Sequence, residues 1–256
     1  YAGEGATQGP GAITTAVFYE KLVQSFVGAI RAKKEGVFEI DLRLRPWGSA
    51  GSMAVSLESF RRYFARSGPA WAYERQALIR LRPIAGDAGL GREVVRLRDE
   101  LVYDGGPLDV TAMRAMRERQ IRHLVRGGTF NPKFSPGGLV DVEYMVQGLQ
   151  MRHGDRDEQL RATNTRAAMA ALAAAGILPP EDHERLREAQ TFLRWLIDAL
   201  RMVRGDARDL TIPAAGSEEF AYLARRMRYG SDLNRLKDEI ARCSGSVQEL
   251  SLRLLG

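Results

Sequence analysis

The stretch Val37-Phe38-Glu39-Ile40-Asp41-Leu42-Arg43-Leu44-Arg45-Pro46 decides how the first part of the chain is read. Its side chains alternate with period two, as those of a strand do when successive residues point to opposite faces. Phe38, Ile40, Leu42 and Leu44 form an apolar row, and Glu39, Asp41, Arg43 and Arg45 form a charged one. Carboxylates hold hard divalent cations through oxygen, and arginine forks bind phosphate bidentately. The charged row therefore suits a metal-assisted site for a phosphorylated ligand. It also suits a solvated ladder of alternating charge on an exposed sheet face. The stretch alone leaves both readings open.

Upstream, Ile13, Val17, Phe18, Leu22, Phe26, Val27 and Ile30 recur at helical spacing. They predict an amphipathic helix over 12–34, ending in Arg31, Lys33 and Lys34, whose charge suits the negative end of its dipole. Downstream, Pro46 to Ser52 is rich in turn formers, and Met53 to Val55 is expected as a short return strand. Ser56 is a candidate N-cap for a helix over 57–66, and further helices are expected over 70–81 and 89–102. Helices alternating with a half-polar strand predict a small α/β or α+β domain, and the overall class is expected to be α+β.

Gly105-Gly106-Pro107 marks a boundary, which divides the chain into 1–105 and 106–256. Beyond it the pattern is helical over 109–126, 139–153, 163–175, 181–204, 217–228 and 231–254. Short connections between these segments predict an all-α bundle of antiparallel neighbours. Asn164 or Thr163 can cap the third of them and Gly176 can close it, while Pro179-Pro180-Glu181-Asp182 suits a helix start. The chain is expected to be predominantly helical overall.

Composition bounds the function classes. The 256 residues carry a net charge of +6, from 38 Lys+Arg against 32 Asp+Glu. The basic residues are spread through helices, without the basic–aromatic interleaving of single-strand binders, so no nucleic-acid partner is expected. No apolar run has the length to span a bilayer, and no membrane association is expected. Cys243 is the single cysteine, which excludes an intrachain disulfide and a multi-cysteine metal site and fits a reducing, cytoplasmic setting.

Asp41 is the leading candidate for metal binding and catalysis, with Arg43 and Arg45 as phosphate ligands. Lys133 and the Gly137-Gly138 pair precede a helix, where backbone N–H groups and a lysine can receive an anion. The loop lacks the Gly-Lys-Ser/Thr of a P-loop. Asp141 and Glu143 stand in the first turn of that helix, where acids stabilise the dipole. Glu74, Arg75 and Gln76 fit a solvated helix face. His123, His153 and His183 have no metal spacing and are expected at the surface. Cys243 is expected as inert filler, and Gly230-Ser231-Asp232 as a helix N-cap.

Several blocks together resemble the bacterial glutamine synthetase adenylyltransferases. Phe38 to Pro46 resembles that family's aromatic-x-hydrophobic-Asp-x-Arg-Leu-Arg-Pro strand. Ser56-Leu57-Glu58-Ser59-Phe60 is similar to its serine-led helix, Trp71-Ala72-Tyr73-Glu74 to its Trp-x-x-Glu block, and Met113-Arg114 to its Met-Arg helix. Lys133-Phe134-Ser135-Pro136-Gly137-Gly138, continuing to Asp141-Val142-Glu143-Tyr144, resembles its Lys-x-x-x-Gly-Gly block, with Tyr144 in place of the common Phe.

The resemblance implies a nucleotidyltransferase fold like that of DNA polymerase β, followed by a helical domain. Residues 1–105 would be the C-terminal part of the catalytic domain. It implies Mg²⁺ held by three carboxylates, with Asp41 as the third. The first two belong to an Asp-x-Asp pair behind a Gly-Ser turn, expected upstream of Tyr1, so the chain is expected to be catalytically incomplete as written. The implied activity is transfer of AMP from ATP to a tyrosine of glutamine synthetase. The alternatives are phosphorolytic removal of that AMP, or a non-catalytic binding module. Glutamine synthetase and a PII-type nitrogen-signalling protein are the implied partners.

Overall fold

The computed structural model describes residues 1–30, 40–205 and 208–255. Among the described residues the regular structure is ten α-helices and three 3₁₀ turns, so the chain is predominantly helical. It divides into two compact units, Tyr1–Gly106 and Pro107–Gly256.

The first unit opens with a folded-back loop. Thr7 N–H donates to Ile13 O at 2.9 Å, and Ala6 and Thr14 form an isolated antiparallel bridge. The Tyr1 ammonium donates to Val55 O at 2.9 Å, and Tyr1 O accepts from Leu57 N–H at 2.8 Å. Helix α1 (Thr15–Ala29) is capped by the Thr14 hydroxyl, which accepts from Val17 N–H. The expected helix over 12–34 is shorter in the structure because Ile30 turns extended; Arg31, Lys33 and Lys34 lie outside the described residues. Within this unit the apolar row of α1 is uncovered, with Leu22 51% and Phe26 55% exposed.

Three further helices make the core of this unit: α2 (Leu57–Phe64), α3 (Ala72–Ala77) and α4 (Ala88–Val102). Ser56 caps α2 by accepting from Ser59 N–H, and Asp87 caps α4 by accepting from Leu90 N–H. A 3₁₀ turn, Leu78–Arg80, extends α3 and ends where Leu81 turns extended, two residues before Pro83. Phe64, Leu78, Ile79 and Leu97 are fully buried between these elements. Full burial of each such side chain stabilises by about 1.5–3 kcal/mol.

The β component of the expected α+β fold is not found among the described residues. Val37, Phe38 and Glu39 lie outside them, and Ile40 to Arg45 form no strand. A strand needs a neighbour to take its ladder bonds, and this segment satisfies its groups locally instead. Arg43 N–H donates to Asp41 Oδ1 at 2.9 Å, and Arg45 N–H to Arg43 O at 2.9 Å. The return strand expected at Met53 to Val55 is likewise irregular, with Met53 N–H donating to Glu20 Oε2 at 2.7 Å.

The second unit holds α5 (Val110–Leu124), α6 (Leu139–His153), α7 (Thr165–Ala174), α8 (Pro180–Arg204), α9 (Glu218–Arg226) and α10 (Leu233–Leu255). Their ends follow the sequence signals. Asn164 accepts from Arg166 and Ala167 N–H, Pro180 is the first residue of α8, and Gly176 takes a left-handed φ of 72° just past α7. Helix α6 runs through the middle of the bundle, and Val142, Met145 and Val146 are fully buried against Met169, Leu193 and Val247. A second cluster joins Leu196 and Leu200 of α8 to Phe220 and Leu223 of α9 and Leu236 of α10.

Candidate functional site

In the first unit, Asp41 and Arg43 come together and Arg45 turns away. The Arg43 guanidinium forks onto the Asp41 carboxylate, with Nε to Oδ1 at 2.9 Å and Nη2 to Oδ2 at 2.6 Å. The pair is exposed, at 55% for the Asp41 side chain and 80% for Arg43. The side-chain hydrogen bonds from Arg43, then its backbone N–H, hold the Asp41 carboxyl down at about 2. Asp41 is therefore an ionised, solvent-facing carboxylate held by an exposed arginine. Arg45 has a different task. Its Nε donates to Gly51 O at 3.2 Å and its Nη1 to Leu42 O, which staples the loop closed.

That staple holds a strained turn. Trp47 has φ 64° in the left-handed region, which is uncommon for a non-glycine residue. Gly51 passes so close that a Cβ there would meet Pro46 O at 2.0 Å. The Trp47 ring packs edge-on against Tyr63 at 5.2 Å between centroids. Tyr63 OH donates to Glu74 Oε1 at 3.1 Å, and Glu74 Oε2 accepts from Trp71 N–H at 2.9 Å. A cavity of about 420 Å³ lies beside this chain of contacts, lined by Pro46, Trp47, Ser52, Ser59, Arg62 and Tyr63. Its size falls within the range of small-molecule sites.

Glu74, Arg75 and Gln76 are thus not a solvated face. Arg75 Nη1 donates to Ala70 O at 2.9 Å, and Gln76 is 3% exposed. Periodicity in a helix as short as α3 does not show that its polar residues face an adjoining loop. Trp47 was also missed; an aromatic residue within a Pro-x-Gly-Ser turn was the available signal.

In the second unit, Lys133 lies in a loop that closes on itself. Asn131 Oδ1 accepts from Lys133 and Phe134 N–H at 3.0 and 3.1 Å, and Ser135 Oγ accepts from Asn131 N–H at 2.7 Å. The N–H groups expected to receive an anion are already used. Gly137 N–H donates to Asp141 Oδ2 at 2.7 Å, Gly138 N–H to Ser135 O at 2.8 Å and Leu139 N–H to Pro132 O at 2.8 Å. Any anion contact here falls to the Lys133 ammonium, which stands 4.8 Å over the Phe134 ring. Asp141 is buried and pairs with Arg117, so it holds the loop rather than merely the helix dipole.

The remaining candidates are structural. His123 is exposed, while His153 and His183 are half-buried rather than free at the surface. Cys243 is buried, and desolvation pushes its thiol up to about 12. Asp232 caps α10 by accepting from Arg235 N–H at 3.0 Å. Among the described residues no group of three His, Cys, Asp or Glu side chains is placed to hold a metal ion. Asp41 brings one carboxylate, so the described residues alone do not complete a divalent-metal site. Among them, no helix is long and apolar enough to cross a membrane.

Two family models match the chain. One, glutamate-ammonia ligase adenylyltransferase, matches residues 1–96, and the other, GlnD PII-uridylyltransferase, matches residues 111–255. Curated relatives are named bifunctional glutamine synthetase adenylyltransferase/adenylyl-removing enzymes. That of Streptomyces coelicolor is 39% identical over 198 residues, covering 75% of this chain and 19% of the relative. That of Streptomyces avermitilis is 40% identical over 197 residues, with the same coverage. One from Stenotrophomonas maltophilia is 34% identical over 227 residues, covering 84% of this chain and 23% of the relative. The chain spans about a fifth of the length of the curated relatives it matches.

Proposed function

The chain belongs to the glutamine synthetase adenylyltransferase family, and from that premise we propose that it is part of a nucleotidyltransferase that moves AMP from ATP to a tyrosine of glutamine synthetase. The observation that carries this reading is the adenylyltransferase match over residues 1–96, which includes the Asp41–Arg45 segment and the cavity beside it. On this reading the first unit is the C-terminal part of a catalytic domain of nucleotidyltransferase fold, and the second is its helical domain.

The residues then have distinct tasks. Asp41 brings a carboxylate, ionised throughout the physiological range, toward a divalent cation, Mg²⁺ in this proposal. Arg43, held beside it by the bidentate fork, is placed to exchange that carboxylate for phosphate oxygens, a geometry guanidinium groups suit. Arg45 positions the loop through Leu42 O and Gly51 O, and contacts phosphate only if those bonds open. The Trp47–Tyr63 cavity supplies an aromatic wall and the Arg62 cation for the remainder of the nucleotide. Lys133 is proposed as an anion contact within the second unit. Glutamine synthetase is the proposed protein substrate. The match of residues 111–255 to a PII-uridylyltransferase model supports a PII-type protein as a regulatory partner.

The transferase direction is tested by incubating the protein expressed from its native reading frame with glutamine synthetase and ATP labelled in the α-phosphate. Label on glutamine synthetase supports transfer. Release of ADP from adenylylated glutamine synthetase and inorganic phosphate, with no labelling in the forward assay, assigns the adenylyl-removing direction instead. One further reading is a non-catalytic binding module of the same family. That reading requires neither reaction to occur while glutamine synthetase still binds.

A further inference from the structure

The last turns of α8 and α9 meet at an open depression of about 890 Å³, lined by Met202, Val203, Tyr222, Arg225, Arg226 and Arg228. All three arginines are exposed, and no carboxylate among the described residues pairs with any of them. Arg225 instead lies over the Tyr222 ring at 4.5 Å, and Arg226 Nη2 approaches Met202 Sδ at 2.6 Å. Tyr222 and Met202 are 49% and 62% exposed.

Arginines at helix C-termini have an ordinary role in offsetting the negative end of the dipole. That role covers Arg225 and Arg226, which are in the last turn of α9, but not Arg228. Arg228 sits past the helix with φ 64°, where Arg228 N–H donates to Arg225 O at 3.1 Å and Tyr229 N–H to Ala224 O at 2.8 Å. This is the position where helices ordinarily place glycine, because a side chain strains the left-handed backbone. A guanidinium kept at such a position adds a third positive charge to the depression at a cost in local stability, which points to use.

We propose that this depression is a docking site for an acidic segment of a partner protein. Unpaired arginines with tyrosine and methionine are the composition of interface hot spots rather than of ordinary surface. A compact phosphate suits helix N-termini, whereas this site lies where α8 and α9 end. An acidic peptide matches the exposed arginines, its carboxylates pairing with the guanidinium groups. An apolar side chain of the segment fits over Met202 and Val203. The proposal is independent of the chemistry assigned to the first unit.

The test is fluorescence anisotropy with a fluorescein-labelled octapeptide of alternating glutamate and leucine, at low salt, on the full protein. Arg225→Glu with Arg226→Glu weakens binding about tenfold or more, and Arg119→Glu, an exposed charge elsewhere on the same unit, leaves it within about twofold. Arg228→Gly also weakens binding while its unfolding temperature does not fall, because glycine relieves the strained turn; that separates lost binding from lost fold. Equal binding by the depression variants and the wild type overturns the proposal. So does an equal loss in Arg119→Glu. Displacement of the peptide by inorganic pyrophosphate, with pyrophosphate binding more tightly and showing the same arginine dependence, also overturns it in favour of a phosphate site.

Discussion

Arg117 and Asp141 form a buried ion pair, with Nε donating to Oδ1 at 2.5 Å and both side chains about nine-tenths enclosed. The pair ties α5 to the start of α6 and to the loop between them. Arg117 Nη2 also donates to Ser135 O at 3.0 Å, and Asp141 Oδ2 accepts from Gly137 N–H at 2.7 Å. Removing one member strands a charge in a low-dielectric interior. Asp141→Ala therefore destabilises the protein by about 3–5 kcal/mol. Asp141→Asn, which keeps an acceptor for Gly137, costs less. Urea unfolding checks both, as a lower midpoint with an unchanged slope.

Gly137 is required by two separate constraints. Its φ is 77°, and a Cβ there would lie 2.2 Å from Ser244 O on α10. The contact is with backbone, so no rotamer change relieves it. Gly137→Ala should cost about 2–4 kcal/mol, measured by the same unfolding experiment. Gly176→Ala serves as the comparison: its φ is 72° but nothing lies within 4 Å of its Cβ, so only the backbone strain is felt.

The Asp41 carboxyl titrates at about 2 in the folded chain, below its ordinary 3.8, because Arg43 hydrogen-bonds the charged form. A depressed folded value means the contribution to stability is present above pH ~4 and is lost as pH falls toward 2. Since the pair is exposed and screened by water, that contribution is small. NMR titration of the Asp41 carboxyl resonance should give a midpoint near 2 that rises toward the ordinary value in Arg43→Gln.

Cys243 behaves as buried filler. Desolvation raises its thiol from the ordinary 9.0 to about 12, so thiolate is scarce in the folded state. Alkylation by iodoacetamide at pH 8 should be negligible for native protein and rapid in denaturant. Above pH 9 the unfolded chain ionises first, so stability declines as pH rises.

The helical bundle was legible because each long helix carried its periodicity and its ends together. Asn164, Pro180 and Gly176 mark boundaries by local hydrogen bonding and backbone geometry, which a sequence states directly. The segment at Ile40 to Arg45 was not legible in that way. Period-two alternation describes a strand only if a neighbouring strand takes its ladder bonds, and no sequence pattern supplies the neighbour. The glycines at 137 and 138 were read with Lys133 as an anion receiver, but the groups that approach them are Ser244 O and the loop's own carbonyls. Glu74 illustrates the remaining difficulty. Its partners, Tyr63 on α2 and Trp71 at the start of its own helix, are fixed by how α3 packs against α2 and begins, and polarity alone does not report that.

Replacement of Asp41 tests the nucleotidyl-transfer reading most directly. The side chain is exposed, so Asp41→Asn is expected to fold normally and to keep its unfolding temperature. In the labelled-AMP assay with glutamine synthetase, this variant should lose about a hundredfold or more of the transfer rate, as expected when a carboxylate proposed to hold the divalent cation is removed. Transfer at the wild-type rate by folded Asp41→Asn protein would contradict the role assigned to this carboxylate.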